Sequence, residues 1–131
     1  MEKDKRIKSV MMYEDAIVLF DFFLNLKREM LTTHDLYLLA MVINIQKEIV
    51  EKNKESFEKR FPKLNKYRNA VFHYTQYWQP VQTYARKFEF TGDLPKLVID
   101  CFHYIESELI HVKSNHITSN SELNYFFTGQ L

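Results

Sequence analysis

The residues best suited to chemistry lie in the segment 67–74, which contains Arg68, Asn69 and His73. An arginine guanidinium is always protonated and binds phosphate through a planar fork of donors. A histidine imidazole titrates near neutral pH, so it can accept or release a proton. Together, these two groups could hold a phosphate and move a proton beside it. The rest of the chain offers no comparable chemistry, and this segment is therefore the candidate site.

Helical geometry limits how these side chains can meet. Five residues turn through about 500° on a regular helix, which leaves Arg68 and His73 about 140° apart around the axis. Asn69 and His73 are four residues apart and share a face. We therefore expect the three residues to border a groove, with a second chain completing the site in a twofold dimer.

The composition predicts that helices position this site. Of the 131 residues 46% are hydrophobic, and the chain has only two glycines and three prolines, too few for an all-β protein with many tight turns. We expect an all-α, up-and-down bundle of four to five helices within residues 1–113. A polar linker and C-terminal tail, 114–131, would follow, and its apolar segment 123–127 could pack back onto the bundle.

Apolar periodicity and turn residues mark the helices of this bundle. Thr32 and Asp35 form the pattern of a capping box, and Pro62 marks the end of a connector at 54–62. Asp93 and Pro95 suit the start of the last helix. The helices expected are 8–28, 33 to about 57, 63–78, a short piece at 81–88, and 94–112.

Charge and cysteine content narrow the class of protein. The net charge of +1 gives no bulk argument for nucleic-acid binding, although basic residues gather between Lys52 and Arg68. That cluster is either a solvated helix face or a weak phosphate-steering patch. Cys101 lies in an apolar run and is expected to be a buried thiol. Charged residues interrupt the apolar stretch 10–26, and no signal-peptide pattern precedes it, so we expect a cytoplasmic protein without membrane association.

The last helix carries a partial metal-binding pattern. Its acidic and imidazole side chains include one Glu-x-x-His spacing, but a carboxylate-bridged metal centre needs a second such motif and further inward carboxylates. The residues concerned are His103, Glu106, Glu108 and His111. Because this ligand set is incomplete, we expect neither a metal site nor a cofactor.

The motif Arg68-Asn69-Ala70-Val71-Phe72-His73 resembles the Arg-x4–6-His signature of HEPN domains. Those domains are small helical bundles, commonly homodimeric, and many are metal-independent endoribonucleases of toxin–antitoxin and phage-defence systems. The resemblance implies a homodimer that acts on RNA, with an antitoxin protein as a further partner. Other members of the family lack activity and serve as RNA-binding or interaction modules.

The resemblance also implies roles for individual residues. The RNA 2′-hydroxyl would attack the adjacent phosphate, with His73 as general base or acid. Arg68 would stabilise charge on the phosphoryl oxygens, and Asn69 would orient the phosphate or His73. The remaining contacts to the substrate would come from Lys63, Lys66 and Tyr74.

Two structural readings of the same residues remain open. His73 could be a core histidine with a local hydrogen bond, and Arg68 could pair with Glu55 or Glu58 across the connector. The chain would then be a non-catalytic interaction module. Its working surface would be the wide apolar stripe of the first helix, which predicts contact with a second molecule or with two helices of the same molecule.

Overall fold

The structure, a computed structural model, describes residues 2–25, 32–75 and 93–110, with side chains at 8–25, 32, 34–72 and 94–110. Every regular element in these ranges is helical, so the predicted all-α bundle is confirmed. The elements are α1 (Glu2–Asn25), α2 (Thr33–Lys52), α3 (Phe57–Arg60), α4 (Pro62–Thr75), α5 (Asp93–Tyr104) and a π-helical turn, Ile105–Ile110.

Several predicted features lie outside the described residues. These are the end of the first helix at residue 28, the end of the third at 78, the short piece at 81–88, the last two residues of the final helix, and the linker and tail at 114–131. None of the described helices is both long enough and apolar enough to cross a membrane.

The first helix begins earlier than its apolar pattern predicts. α1 starts at Glu2 and not at Lys8. The added turns are rich in glutamate, lysine and arginine, which have high helix propensity and can extend a helix without an apolar stripe. From Tyr13 to Leu24 the expected stripe is buried except at Leu19, which is half-buried. α1 packs against both α2 and the π-helical turn.

The capping box predicted at the start of α2 is confirmed. The backbone N–H of Thr32 donates to Oδ2 of Asp35 at 2.8 Å, and the N–H of Asp35 donates to Oγ1 of Thr32 at 3.2 Å. Each side chain thereby satisfies a backbone donor that the first turn of a helix leaves unpaired.

The segment between α2 and α4 is more ordered than the predicted connector. α2 ends at Lys52 and does not project to residue 57, because Lys54 adopts a left-handed conformation with φ 63° and turns the chain back. The chain then forms α3, whose N-cap Ser56 accepts a hydrogen bond from the N–H of Lys59. Phe57 on this short helix is fully buried, and its burial explains why the segment folds against the bundle.

The proline break before α4 lies where the sequence predicts it. Phe61 has non-helical dihedrals, φ −131° and ψ 65°, and Pro62 is the first residue of α4. The apolar residues of this helix recur at three- and four-residue steps and face the core, since Leu64, Tyr67 and Val71 are all buried.

The last helix changes its periodicity near its end. Ile105 and Ile110, five residues apart, are both buried, whereas Leu109 is only partly buried. Leu109 packs against the edge of the core. A π-helix closes its hydrogen bonds over five residues and not four, so this turn brings the second isoleucine to the core.

Polar contacts between helices fix the arrangement around the candidate site. α4 runs antiparallel to α2, because Asn65 contacts Lys47 while Arg68 contacts Asn44. α5 is tied to α2 by a 2.9 Å hydrogen bond from Nε2 of Gln46 to the carbonyl of Val98. The candidate site consequently lies between two helices that the core holds in register.

Candidate functional site between α2 and α4

The Arg68 guanidinium lies between α2 and α4, and two neutral side chains hold it. Its Nε donates to Oδ1 of Asn44 at 2.9 Å, and one terminal nitrogen donates to Oδ1 of Asn69 at 2.9 Å. Neither partner carries charge. Within the described part of the chain Arg68 has no carboxylate partner, so its positive charge is not neutralised by an ion pair.

The ion pair suggested as an alternative does not form. Glu55 instead pairs with Arg60, at 3.4 Å between its Oε2 and the arginine Nε. Glu58 is exposed and makes no contact with Arg68. The prediction that Arg68 could pair with either glutamate was therefore wrong within the described residues, where Arg68 instead contacts Asn44 and Asn69.

Aromatic contacts make Arg60 a useful internal comparison. The Arg68 guanidinium lies 5.1 Å from the ring centroid of Phe72, and that of Arg60 lies 4.5 Å from the ring of Tyr104. Both arginines therefore rest on an aromatic face. They differ in their polar partners, since one is held by amides and the other by a carboxylate.

Asn44 is the residue of this cluster that sequence reasoning missed. It stands 24 positions before Arg68 and belongs to another helix. One signal was present: it is a polar residue directly flanked by Ile43 and Ile45. A polar side chain at such a position usually has a specific partner, and here that partner is Arg68.

The structure places the other predicted site residues along α4. Asn69 is exposed, and Lys63 and Lys66 are exposed on the same helix. The position of His73 lies one helical turn beyond Asn69 within α4, but the side chains of His73 and Tyr74 lie outside the described ones. Arg68 and Asn69 are thus brought into contact, and the lysines extend the positive charge of this helix toward its beginning.

Other candidate groups contribute little chemistry. Burial raises the pKa of the Cys101 thiol well above its ordinary value, and the nearby charge of Asp100 raises it further. A thiol in this state is a poor nucleophile. Glu106, from the partial metal pattern, accepts a 2.6 Å hydrogen bond from the Tyr13 hydroxyl. The side chains described contain no group of three metal-binding residues.

Comparisons of this chain with protein families, with curated proteins and with solved structures gave no match. The resemblance to HEPN domains therefore stands on the motif from Arg68 to His73 and on the all-helical architecture.

Proposed function

We propose that this protein is a metal-independent endoribonuclease that cleaves RNA at the site formed by Arg68, Asn69 and His73. The observation that carries the proposal is the Arg68 guanidinium, held in place by two amides and not neutralised by any described carboxylate. Such a group attracts a phosphate and fixes its orientation through paired donors.

The reaction uses groups that this helix supplies. His73 removes the proton from an RNA 2′-hydroxyl, whose oxygen attacks the adjacent phosphorus. The bond from phosphorus to the 5′-oxygen breaks, and the leaving oxygen takes up a proton from water or from the His73 imidazolium formed in the first step. Arg68 stabilises the charge that develops on the phosphoryl oxygens, and Asn69 keeps the guanidinium oriented. The products are a 2′,3′-cyclic phosphate and a 5′-hydroxyl.

RNA cleavage by the full chain in the presence of a chelator tests this proposal. His73→Ala should lower the cleavage rate by about 100-fold or more, the usual contribution of a general base or acid. Arg68→Ala should lower it by a similar factor. Two matched controls should leave it unchanged: His103→Ala, which removes an exposed histidine from α5, and Arg60→Ala, which removes the carboxylate-paired arginine. Equal rates for the parent and His73→Ala, or no cleavage by either, would refute the proposal.

A second function is favoured by a different surface. Met11, Val18 and Phe22 are all more than half exposed, and they fall within about 40° of arc on α1. An exposed apolar stripe of this kind suits a non-catalytic module that binds another protein. In that case Val18→Glu would abolish the interaction, and His73→Ala would have no effect.

A further inference from the structure

The cluster of Asn44, Arg68 and Asn69 has more free hydrogen-bond donors than its own residues use. A guanidinium cannot accept a hydrogen bond, so each asparagine must turn its carbonyl oxygen toward Arg68. Both amide nitrogens then point away from the arginine. No described residue accepts a hydrogen bond from either of them.

The donors left over are enough to surround an oxyanion. A guanidinium has five N–H groups, and two of these are used by the asparagines, which leaves three. The two amide nitrogens add further donors beside them. Several N–H donors gathered in one place suit a ligand with several acceptor oxygens, such as the non-bridging oxygens of a phosphodiester.

We propose that Asn44 is the positioning residue of a binding site for an internal phosphodiester of single-stranded RNA. This inference rests on the proposed function and deepens it. Asn44 fixes the guanidinium through Nε while leaving its charge intact. A neutral partner is essential to this role, because a carboxylate at the same place would form an ion pair with Arg68 and occupy the charge that the phosphate needs.

The chain itself contains the opposite arrangement. Arg60 also lies on an aromatic ring, yet Glu55 pairs with it and neutralises it. If holding an arginine against the surface were the only requirement, a carboxylate would serve at Asn44 as well as an amide. The amide is the choice that keeps Arg68 available to an external anion.

The charges nearby favour a strand over an isolated phosphate. Lys66 is exposed one turn before Asn69 on α4, about 4.5 Å from it along the helix axis at 1.5 Å per residue. A second positive charge beside Asn69 suits a neighbouring phosphate of the same strand. Glu48, one turn after Asn44 on α2, is the exposed carboxylate nearest to it in sequence, and it makes no ion pair with Arg68.

The test is the binding of a 2′-O-methyl oligoribonucleotide of about 12 residues, a length within the range that single-strand binding sites cover. This probe has no 2′-hydroxyl proton and cannot be cleaved by the proposed reaction. Asn44→Asp is nearly isosteric and adds a carboxylate beside Arg68. Asn25→Asp makes the same chemical change at an exposed residue of α1 and is the matched control.

We expect Asn44→Asp to weaken binding by about 10- to 100-fold, the range for loss of a hydrogen-bonded charge contact. The plot of log affinity against log salt should become shallower by about 0.7, the slope for one phosphate contact to a single strand. Arg68→Ala should weaken binding and reduce the salt slope in the same way. Asn25→Asp should bind with the parent slope. Thermal unfolding should show Asn44→Asp at least as stable as the parent, because the new carboxylate pairs with Arg68.

The outcomes separate this inference from the proposed function. Parent-like affinity and salt slope for Asn44→Asp would overturn the inference, even if His73-dependent cleavage is observed. Conversely, an Asn44-dependent salt slope without any cleavage of unmodified RNA would uphold the site and refute the nuclease. Equal competition by inorganic phosphate or by an acidic peptide at the same charge concentration would also overturn it, since the site would then not select a nucleic-acid strand.

Discussion

The hydroxyl of Tyr67 offers a sharp test of how α4 is held against α2. The side chain is fully buried, and its hydroxyl donates to the backbone carbonyl of Leu36 at 3.1 Å. Burial raises the pKa of Tyr67 well above its ordinary value of 10.0. Tyr67→Phe removes this hydrogen bond and the ionisable group together, while it keeps the ring that fills the core.

At neutral pH the substitution should lower the free energy of unfolding by about 1 kcal/mol, the usual net value of a buried hydrogen bond. The cost is not larger because the carbonyl of Leu36 also lies in the α2 backbone ladder, so the variant does not leave it without a partner. For a chain of this length the melting temperature should fall by about 4 °C.

At high pH the order of stability should reverse, so that Tyr67→Phe becomes more stable than the parent. A group whose pKa is raised in the folded state contributes its stability below the unfolded pKa, and this stability is lost as the pH rises toward the folded pKa. Ionisation of Tyr67 in the unfolded parent therefore costs about 1.4 kcal/mol of stability at about pH 11, from a pKa of 10.0. The phenylalanine variant has no such loss, and the two proteins should be equally stable at about pH 10.6.

The assay is chemical denaturation of parent and variant in parallel at several pH values from about 7 to about 11, the range that spans the unfolded tyrosine pKa. Other tyrosines titrate equally in both proteins and cancel in the difference. A stability difference that stays constant over this range would refute the reasoning. It would mean that the hydroxyl of Tyr67 ionises as readily in the folded protein as in the unfolded chain.

Three further predictions concern local features. Lys54→Gly should raise the free energy of unfolding, measured by equilibrium denaturation, by up to about 1 kcal/mol. The reason is that glycine relieves the left-handed strain at φ 63°. Thr32→Ala should lower it by about 1 kcal/mol through loss of the bond to the N–H of Asp35, whereas Thr32→Ser should restore it. Cys101 should react with a thiol-specific disulfide reagent far more slowly in the folded protein than in denaturant, since its pKa is raised by burial; equal rates would contradict this.

The elements that can be predicted well from the sequence are those determined by residues close together in the chain. The capping box of Thr32 and Asp35 involves residues three positions apart, and the break at Phe61 follows from the proline that comes next. The buried stripe of α4 likewise repeats at helical spacing. In each case the residues that determine the structure are neighbours in the chain, so their pattern is visible without knowing the fold.

The elements that escape prediction depend on packing between distant segments. α3 forms because the Phe57 ring is buried against the bundle. Its four residues are too few for an apolar pattern that would predict a helix. The same holds for the candidate site. Arg68 and Asn69 are adjacent and could be predicted together, whereas Asn44 joins them only through the register of α2 against α4.

The π-helical turn from Ile105 to Ile110 has a consequence for chain length. Each of its hydrogen-bonded rings encloses one residue more than an α-helical ring does, so the turn accommodates a surplus residue while both isoleucines stay buried. Loss of the exposed Ser107 would leave the two isoleucines four positions apart, which is the spacing of an ordinary α-helix. In an alignment, this turn is accordingly the place where a one-residue gap would leave the core unchanged.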